Sequence, residues 1–319
     1  MDNAHQNRLR LEMRFASVRI LVFGAGAMGS FFGGLLSPRN DVTLVGRVDH
    51  MRAVRERGLR IIGKTAKIAR PQTAIRVTTG MHPDLVIVAT KAYDTGDAMR
   101  SLMPFASSAM FLTLQNGLGN SARIAKTAKR VAAGTTAHGV TYLGPGEIRH
   151  AGVGDTVLGP WRGVSRGDVV RLRDVFEDSG IPTRVTDDVR TELWSKVIVN
   201  AGINPLAAIA GVPNGRVVRD RRLLRVVEGV CHEASAVAAS EGANLDTANI
   251  VRRTILTARR TATNRSSMLQ DLDRGRRTEI EAITGAIVDA ARRHEIRVPL
   301  NECLLALVKA REGMLRSPA

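Results

Sequence analysis

Cysteine is nearly absent from this chain, whose 319 residues include only Cys231 and Cys303. Both lie in apolar patterns typical of helices. One such pair cannot form a disulfide framework, and neither cysteine has the spacing to other ligands that a metal site needs. The scarcity excludes a disulfide-rich secreted protein and predicts a chain that works in the reducing cytoplasm without a metal ion.

Aromatic and acidic residues are also scarce. Aromatics make up 3% of the residues, and 47 basic side chains outnumber 30 acidic ones, which gives a formal net charge of +17. Such a charge can indicate a nucleic-acid-binding protein, but few rings are available to stack on bases, and the arginines are scattered without a nucleic-acid motif. We therefore expect a solvated basic surface that attracts anionic small molecules, with no nucleic-acid partner.

The chain also lacks an uninterrupted apolar segment of membrane-spanning length. Its first seventeen residues are polar and contain no apolar signal-peptide core, so residues 1–17 are predicted to be a disordered tail. The most apolar long stretch, "VIVNAGINPLAAIAGVP", carries Asn200, Asn204 and Pro205, which disfavour a bilayer span. No membrane anchor is predicted.

A glycine-rich loop stands near the start of the chain, in "VRILVFGAGAMGS". The apolar run 18–23 predicts a buried strand, and Gly24, Gly26 and Gly29 fit the GxGxxG pattern of a dinucleotide-binding βαβ unit. There the first glycine permits a tight turn, the second lets the backbone approach a pyrophosphate, and the third lets helix and strand pack closely. A glycine-rich turn without a ligand is the alternative, but the helix-compatible "AMGSFFGGLL" that follows favours a nucleotide.

Four further apolar runs follow the loop, namely "DVTLVGR", "LRIIG", "DLVIVATK" and "MFLTLQNG". Their β-branched residues and helix-length separations predict an α/β fold with a Rossmann-type, doubly wound parallel sheet over residues 18–186. After Gly134 the Gly-Pro-Gly punctuation predicts an antiparallel or mixed extension of the strands. Strand signals then fade, and helical periodicity predicts an all-helical C-terminal domain over residues 187–319.

The end of the second predicted strand indicates which nicotinamide cofactor binds. NAD-binding units place an acidic residue there to hold the ribose 2′-hydroxyl, whereas this strand ends "LVGR". Arg47 can pair with a 2′-phosphate, which favours NADP, while Asp49 is close enough to keep NAD open. Lys91 and Asn116 each follow an apolar strand, and both are expected to project from its carboxyl end toward the cofactor.

The stretch "LWSKVIVNAGINP" carries the most chemistry in the helical half. On a helix Lys196, Asn200 and Asn204 recur every four residues and therefore share one face. Their apolar neighbours predict burial, and a buried lysine beside two amides needs partners, of which a substrate is one and internal hydrogen bonds are the other. The alignment of the three side chains favours a substrate site.

Three polar residues further on, Ser267, Glu279 and Glu281, lie at predicted helix starts. Thr278 and Glu281 match a capping box, so Glu281 is expected to cap a helix start. Glu279 lies in the same first turn, where the helix dipole stabilises a carboxylate whether or not a ligand binds. Ser267 is equally open, because serines are common at helix starts.

Taken together, these segments resemble the ketopantoate reductase family, the 2-dehydropantoate 2-reductases of pantothenate biosynthesis. The resemblance runs from residue 18 nearly to the C-terminus and rests on "GAGAMG", "TK", "QNG", "ELWSKVIVNAGINPL" and "SSMLQDLDRGRRTEIEAITG". It implies a Rossmann domain followed by a helical domain, with NADPH as the cofactor and a small 2-oxo acid as the substrate.

The resemblance also implies a role for each matching residue. Lys196 matches the catalytic general acid and Glu279 an active-site glutamate that contacts the bound ligands. The substrate-binding positions are Asn200, Asn204, Asn214 and Ser267. The cofactor-binding positions are Gly24, Ala25, Gly26, Ala27, Met28, Gly29, Arg47, Lys91, Asn116 and Val140.

Three departures from the family pattern are the N-terminal extension, the basicity and the few aromatics, and none removes a catalytic residue. They leave open a reductase of another branched 2-oxo acid and, from a different class, a non-catalytic NADP-binding sensor. A lysine placed to donate a proton argues against the sensor. The helical half is as consistent with a homodimer as with a monomer.

Overall fold

A computed structural model of the chain describes residues 17–314. By their contacts these residues form two compact units. The first comprises residues up to 90, 94–114 and 124–187, and the second comprises 91–93, 115–123 and 188 onward. The predicted disordered tail, apart from residue 17, lies outside the described residues.

The large sheet of the first unit confirms the Rossmann-type prediction. Its eight strands are β1 (Arg19–Phe23), β2 (Asp41–Val45), β5 (Gln72–Ala74), β6 (Leu85–Val88), β7 (Met110–Thr113), β8 (Arg130–Thr136), β11 (Thr156–Arg162) and β12 (Thr183–Val185). They run in the order β12-β11-β8-β7-β6-β1-β2-β5, and the six from β8 to β5 are mutually parallel. The antiparallel pair of β11 with β8 is the predicted mixed extension.

Alternate residues of the central strands supply two separate cores, which explains why these strands are apolar throughout. In β1, Ile20 and Val22 join one cluster, which includes the fully buried Phe31. Leu21 lies in another cluster, which includes Phe111. A parallel strand covered on both faces has no position for a polar side chain, so the sequence shows a continuous apolar run. The helices of this unit are α1 (Ala27–Leu36), α2 (Val48–Arg57), α3 (Thr95–Leu102) and α5 (Arg166–Asp178).

A second, four-stranded sheet in this unit corrects one prediction. The run "LRIIG" does form a strand, β3 (Leu59–Gly63), but it pairs with β4 (Lys67–Ala69) and β10 (Glu147–Gly152) rather than within the parallel sheet. β9 (Gly139–Gly144) completes the order β4-β3-β10-β9. Leu59 and Ile61 are buried whereas Arg60 between them is exposed. That alternation is typical of a strand with one solvated face.

Two histidines of the first unit lie in contact: His150 in β10 and His138 directly before β9. Nδ1 of His138 is 3.1 Å from Nε2 of His150, and the ring of Phe31 lies 4.9 Å from that of His138. Burial, together with the neighbouring His150, lowers the pKa of His138 to about 4 from its usual 6.5. This first-unit histidine is therefore neutral when the unit is folded at neutral pH.

This histidine should make the stability of the protein depend on pH. Above pH 6.5 the folded and unfolded states both carry neutral His138, whereas between 6.5 and about 4 only the unfolded state takes up the proton. The free energy of unfolding should fall over that window by about 2 kcal/mol from this group, after allowance for its partial exposure. Denaturant titrations of wild type and His138→Leu should show a smaller pH slope in the variant. Exposed His82→Leu is the control, and equal slopes for all three proteins would contradict the prediction.

The second unit is helical, as predicted, around one long helix. Its helices are α4 (Asn120–Ala125), α6 (Val189–Ala210), α7 (Asn214–Arg219), α8 (Arg221–Ser240), α9 (Thr247–Arg260), α10 (Ser267–Asp273), α11 (Ala286–Arg293) and α12 (Pro299–Met314), with a π-helical turn at Glu281–Gly285. α4 contributes its first residues to this unit. By length and hydropathy α6 would suffice to span a bilayer, but 78% of its most apolar window is buried in the protein. It is the core helix of this unit.

Candidate active site

The glycine loop joins β1 to α1 and has the backbone geometry that its sequence predicts. Gly24 has a φ of +103°, and a Cβ on it would lie 2.7 Å from the backbone nitrogen of Thr90. Its N–H and that of Ala25 both donate to the carbonyl of Val45, at 3.0 Å each, so the loop lies against the end of β2. A side chain at Gly24 would therefore be both strained and in collision.

The other two glycines differ in what surrounds them. A Cβ on Gly29 would lie 2.2 Å from the carbonyl oxygen of Gly24, so only glycine lets α1 start this close to the strand. A Cβ on Gly26 would meet no atom within 4 Å. Gly26 is the N-cap of α1, with Ala27 and Met28 as the first helical residues, and no side chain caps it. Open space in front of uncapped N–H groups is what a pyrophosphate requires, so the loop fits a dinucleotide.

Arg47 lies beside this loop. It is the N-cap of α2, two residues beyond β2, and its side chain is exposed. A Cβ on the preceding Gly46 would lie 2.7 Å from the Cβ of Ala25, so the loop and the approach to Arg47 are in direct contact. The competing Asp49 is paired with Arg52 at 3.1 Å. Arg47 therefore differs from Asp49: it makes no hydrogen bond or ion pair with the described residues, and its charge is available beside the loop.

In the second unit, α6 exposes one polar stripe. From Leu193 to Ala208 every residue is buried except Lys196, Asn200 and Asn204, which are partly exposed. Within residues 17–314 no hydrogen bond or ion pair reaches these three side chains. The alternative of internal hydrogen bonds is thus not realised in this structure. The polar groups are free to bind a ligand.

The environment of Lys196 changes its acidity. Burial lowers the pKa of its ammonium group to about 8 from the usual 10.5, and the negative charge of Glu279 opposes that shift. An amine with a pKa near neutral gives up its proton more readily than an ordinary lysine, yet stays mostly charged below pH 8. Lys196 thus has the acidity of a proton donor.

Glu279 is 7% exposed and is held at three points. Its Oε1 accepts from the backbone N–H of Ala92 at 3.0 Å, and its Oε2 accepts from Nδ2 of Asn116 at 3.3 Å. Nζ of Lys91 lies 3.6 Å from the same Oε2. Two separate segments of the second unit, one with Lys91 and Ala92 and one with Asn116, therefore fix one carboxylate, which in turn acts on Lys196.

Asp271 is a residue of this cluster that sequence reasoning missed. Its carboxylate pairs with Nζ of Lys91 at 2.7 Å and is 10% exposed. Burial alone would lower the pKa of Lys91, but Glu279 and Asp271 raise it above its usual value, so Lys91 is a fixed cation. The signal available in the sequence was an aspartate among the apolar residues of α10. Nothing in the sequence identifies its partner Lys91, which is 180 residues away.

The predicted capping box does not form. The hydroxyl of Thr278 accepts from the N–H of Ile280 at 3.1 Å rather than from Glu281, and the N–H of Thr278 donates to Glu312. Glu281 instead pairs on the surface with Arg277 and Lys309. The helix begins in a π-helical turn at Glu281–Gly285, which places the capping positions out of register.

The remaining predicted residues have diverse surroundings. Ser267 is the exposed first residue of α10, and the preceding Ser266 caps the helix by accepting from the N–H of Leu269. Asn214 is buried and donates to Thr261, while its Oδ1 has no partner within the described chain. Val140 lies in β9 and packs against the first unit's core. Among the described residues no cluster of potential metal ligands occurs.

Comparisons with known proteins agree with this geometry. A family model described as "Ketopantoate reductase PanE/ApbA" matches residues 20–163, and its C-terminal counterpart matches residues 188–312. A 2-dehydropantoate 2-reductase of Halobacterium salinarum is 42% identical over 298 residues, which is 92% of this chain and 98% of that protein.

Two solved structures also match nearly the whole chain. A PanE/ApbA family ketopantoate reductase of Ralstonia eutropha JMP134 has a TM-score of 0.86 and 34% identity, over 93% of this chain and 99% of that one. A D-mandelate dehydrogenase in a ternary structure with NADH and anilino(oxo)acetate has a TM-score of 0.89 and 26% identity, over 94% and 99%. The shared fold therefore holds a nicotinamide cofactor in a related protein.

Proposed function

The chain is an oxidoreductase of the ketopantoate reductase family, and from this premise we propose that it reduces 2-dehydropantoate to (R)-pantoate with NADPH. The observation that carries the proposal is the stripe of Lys196, Asn200 and Asn204, three polar groups without partners in the described residues, on the otherwise buried stretch 193–208 of α6. Because no protein group in the described residues satisfies them, their donors and acceptors are available to a ligand.

Lys196 is the proposed general acid. NADPH, when bound, supplies the hydride that reduces the carbonyl carbon C2 of the substrate. As the C2–O bond gains negative charge, the ammonium group of Lys196 donates a hydrogen bond to that oxygen and then its proton, leaving a neutral amine that water reprotonates. Its pKa of about 8 suits this transfer at neutral pH.

Glu279 and the asparagines have supporting roles in this proposal. The carboxylate of Glu279 favours the charged form of Lys196 before the reaction. Asn200 and Asn204 offer neutral amide donors and acceptors beside the lysine, which suit a carboxylate and a hydroxyl group of the substrate. Ser267, with its exposed and unpartnered hydroxyl, is the proposed contact to the substrate's far end. Asn214 is a weaker candidate, because its amide already donates to Thr261.

The proposed cofactor-binding residues differ in the part of the cofactor that each would contact. The loop residues from Gly24 to Gly29 would hold the pyrophosphate, and Arg47 the 2′-phosphate that distinguishes NADPH from NADH. Lys91 and Asn116 would act near the nicotinamide end through the carboxylate of Glu279, to which both are bound. Val140 remains a candidate backbone contact.

Replacing Arg47 with alanine should raise the KM for NADPH by about 10- to 100-fold and leave the KM for NADH unchanged, because only NADPH carries the phosphate that the guanidinium pairs with. Steady-state kinetics with both cofactors measure the effect. Arg57→Ala, an exposed arginine at the other end of the same helix, is the matched control. Equal losses for the two cofactors would show that Arg47 does not read the 2′-phosphate.

The substrate is tested by following NADPH oxidation with 2-dehydropantoate and a panel of other 2-oxo acids. The panel should include the oxo acid of mandelate, because a D-mandelate dehydrogenase shares the fold and was solved with NADH. A clear preference in kcat/KM for 2-dehydropantoate with NADPH supports the proposal. If only another 2-oxo acid is reduced, the proposed role of the lysine stands and the proposed substrate is wrong. NADPH binding without any turnover would favour the sensor.

The product places the enzyme in pantothenate and coenzyme A biosynthesis, since pantoate is the acid component of pantothenate. We propose a cytoplasmic location. The reduced cysteines support it, as Cys231 is buried without a disulfide partner and Cys303 is exposed and free. Within residues 17–314, the helix long and apolar enough to span a bilayer is α6, and it serves as a core helix.

A further inference from the structure

A buried histidine in the first unit has both ring nitrogens engaged. His50 is 3% exposed, its Nδ1 lies 2.9 Å from the backbone nitrogen of Gly146, and its Nε2 lies 2.9 Å from Oγ of Ser30. A backbone N–H can only donate, so Nδ1 is the acceptor and the ring proton resides on Nε2. His50 therefore donates to Ser30.

The chain of hydrogen bonds continues to the glycine loop. Because the Ser30 oxygen accepts from His50, its own proton is available for the carbonyl of Ala25, which lies 3.3 Å away. Ser30 is completely buried, so this carbonyl faces the interior of the unit. The direction of donation is thus Gly146 to His50, His50 to Ser30, and Ser30 to Ala25.

The orientation of that carbonyl matters for an anion. Ala25 lies between Gly24 and Gly26, in the loop that fits a pyrophosphate. A carbonyl oxygen turned toward a pyrophosphate would repel it, whereas one bonded to a buried serine is held away. The N–H of Ser30 also donates to the carbonyl of Gly26 at 3.0 Å, so one residue holds two consecutive loop carbonyls.

At its other end, the chain of hydrogen bonds fixes the turn between β9 and β10. Gly146 has a φ of +80°, and a Cβ on it would lie 3.1 Å from that of Ala53 on α2. Its carbonyl accepts from the N–H of Arg60 at 2.8 Å. This assigns a structural reason to the Gly-Pro-Gly sequence, because only a glycine in that conformation presents its N–H to His50.

His50 is the third residue of α2, whose N-cap is Arg47, so one side chain connects the glycine loop, α2 and the hairpin turn. The only aromatic ring packed against it in the described residues is Tyr142, with ring centroids 5.2 Å apart. Burial lowers the pKa of His50, which preserves the neutral ring that the acceptor role of Nδ1 requires.

We propose that His50 is a positioning residue for the cofactor: through Ser30 it holds the Ala25 carbonyl in the conformation that leaves the glycine loop open to a pyrophosphate. The proposal rests on NADPH binding at this loop, as in the proposed function. It predicts that disruption of the chain weakens cofactor binding while leaving the chemical step intact, because His50 touches no reacting atom.

The test is a fluorescence titration of NADPH into folded variants, with thermal denaturation and steady-state kinetics alongside. We expect His50→Leu to raise the Kd for NADPH by about 10- to 100-fold and Ser30→Ala by about 5-fold, with kcat at saturating NADPH within about twofold of wild type. Because both act through one chain, adding Ser30→Ala to His50→Leu should have little further effect on the Kd.

Two conservative variants separate the two hydrogen bonds of the ring. The amide nitrogen of glutamine can replace the Nε2 donor, and the amide oxygen of asparagine can replace the Nδ1 acceptor. His50→Gln should therefore restore cofactor affinity more than His50→Asn does. Exposed His82→Leu is the control and should leave the Kd unchanged.

The outcomes distinguish this inference from the proposed function. If wild-type protein binds NADPH and His50→Leu and Ser30→Ala bind it equally well, whatever their melting temperatures, the positioning role is overturned. If His50→Leu does not fold, Ser30→Ala and His50→Gln decide the question by the same Kd measurement. A wild-type protein that does not bind NADPH would overturn both the proposed function and this inference.

Discussion

Replacing Lys196 with alanine is expected to lower kcat by about 10³- to 10⁴-fold while NADPH still binds, because the variant loses both the proton donor and the positive charge that stabilises the developing alkoxide. The lysine has no hydrogen-bond partner among the described residues, so its removal leaves no protein group unsatisfied. The loss should therefore appear in the chemical step rather than in folding, as single-turnover kinetics and thermal denaturation will show.

The pH profile identifies the role of Lys196 more closely than the loss of rate. The reaction needs the protonated amine, so wild-type kcat should be level below pH 8 and fall about tenfold per pH unit above it, in keeping with a pKa of about 8. The residual activity of Lys196→Ala should lack that break, and added small primary amines should restore part of the rate. Lys64→Ala, an exposed lysine, is the control. Wild-type kcat in Lys196→Ala would exclude Lys196 as the acid.

The elements that sequence reasoning predicted are those whose signal is local. The glycine spacing gave the close packing at Gly29, because a Cβ there would meet the carbonyl oxygen of Gly24 five residues earlier. It also gave the turn at Gly24, because a positive φ is a local property of the chain, although the collision with Thr90 is not. The four-residue repeat of Lys196, Asn200 and Asn204 likewise follows from helix geometry alone. The structure adds that these are the exposed positions in the buried part of α6.

What sequence reasoning missed depends on contacts between distant segments. Lys91 and Asp271 are 180 residues apart, and Glu279 takes its hydrogen bonds from Ala92 and Asn116. No periodicity relates such positions, so Lys91 was predicted as a cofactor-side residue without its carboxylate partners. His50 escaped notice because a single histidine on a helix carries no pattern until Ser30 and Gly146 are brought to it.

The two errors of detail have physical causes as well. "LRIIG" has the composition of a parallel strand, and only the exposed Arg60, its second residue, indicates a sheet with one solvated face. The capping box at Thr278 and Glu281 has the correct spacing for an α-helix, but the first turn there is π-helical. Motif spacing is reliable only where the backbone has the geometry that the motif assumes.

Replacing Glu279 with glutamine, a change of charge with little change of shape, is expected to lower kcat at neutral pH by about 10- to 100-fold. The amide can still accept from the N–H of Ala92, but the charge that raises the pKa of Lys196 is gone. Less of the lysine is then protonated, and Lys91 keeps only Asp271 as a charged partner. The melting temperature of the variant should change little, so that the loss of kcat cannot be attributed to unfolding.

The direction of the pH shift distinguishes this electrostatic role from a structural one. Because Glu279 raises the pKa of Lys196, its neutralisation should move the break in the kcat profile below pH 8, so the variant loses most activity at the alkaline end. Glu281→Gln is the matched control, since its carboxylate, two residues away, pairs with Arg277 and Lys309 at the surface, where the loss of charge should change kcat by less than about twofold. A break that stays in place in Glu279→Gln would mean that the carboxylate organises Lys91 and Asn116 without acting on the lysine that donates the proton.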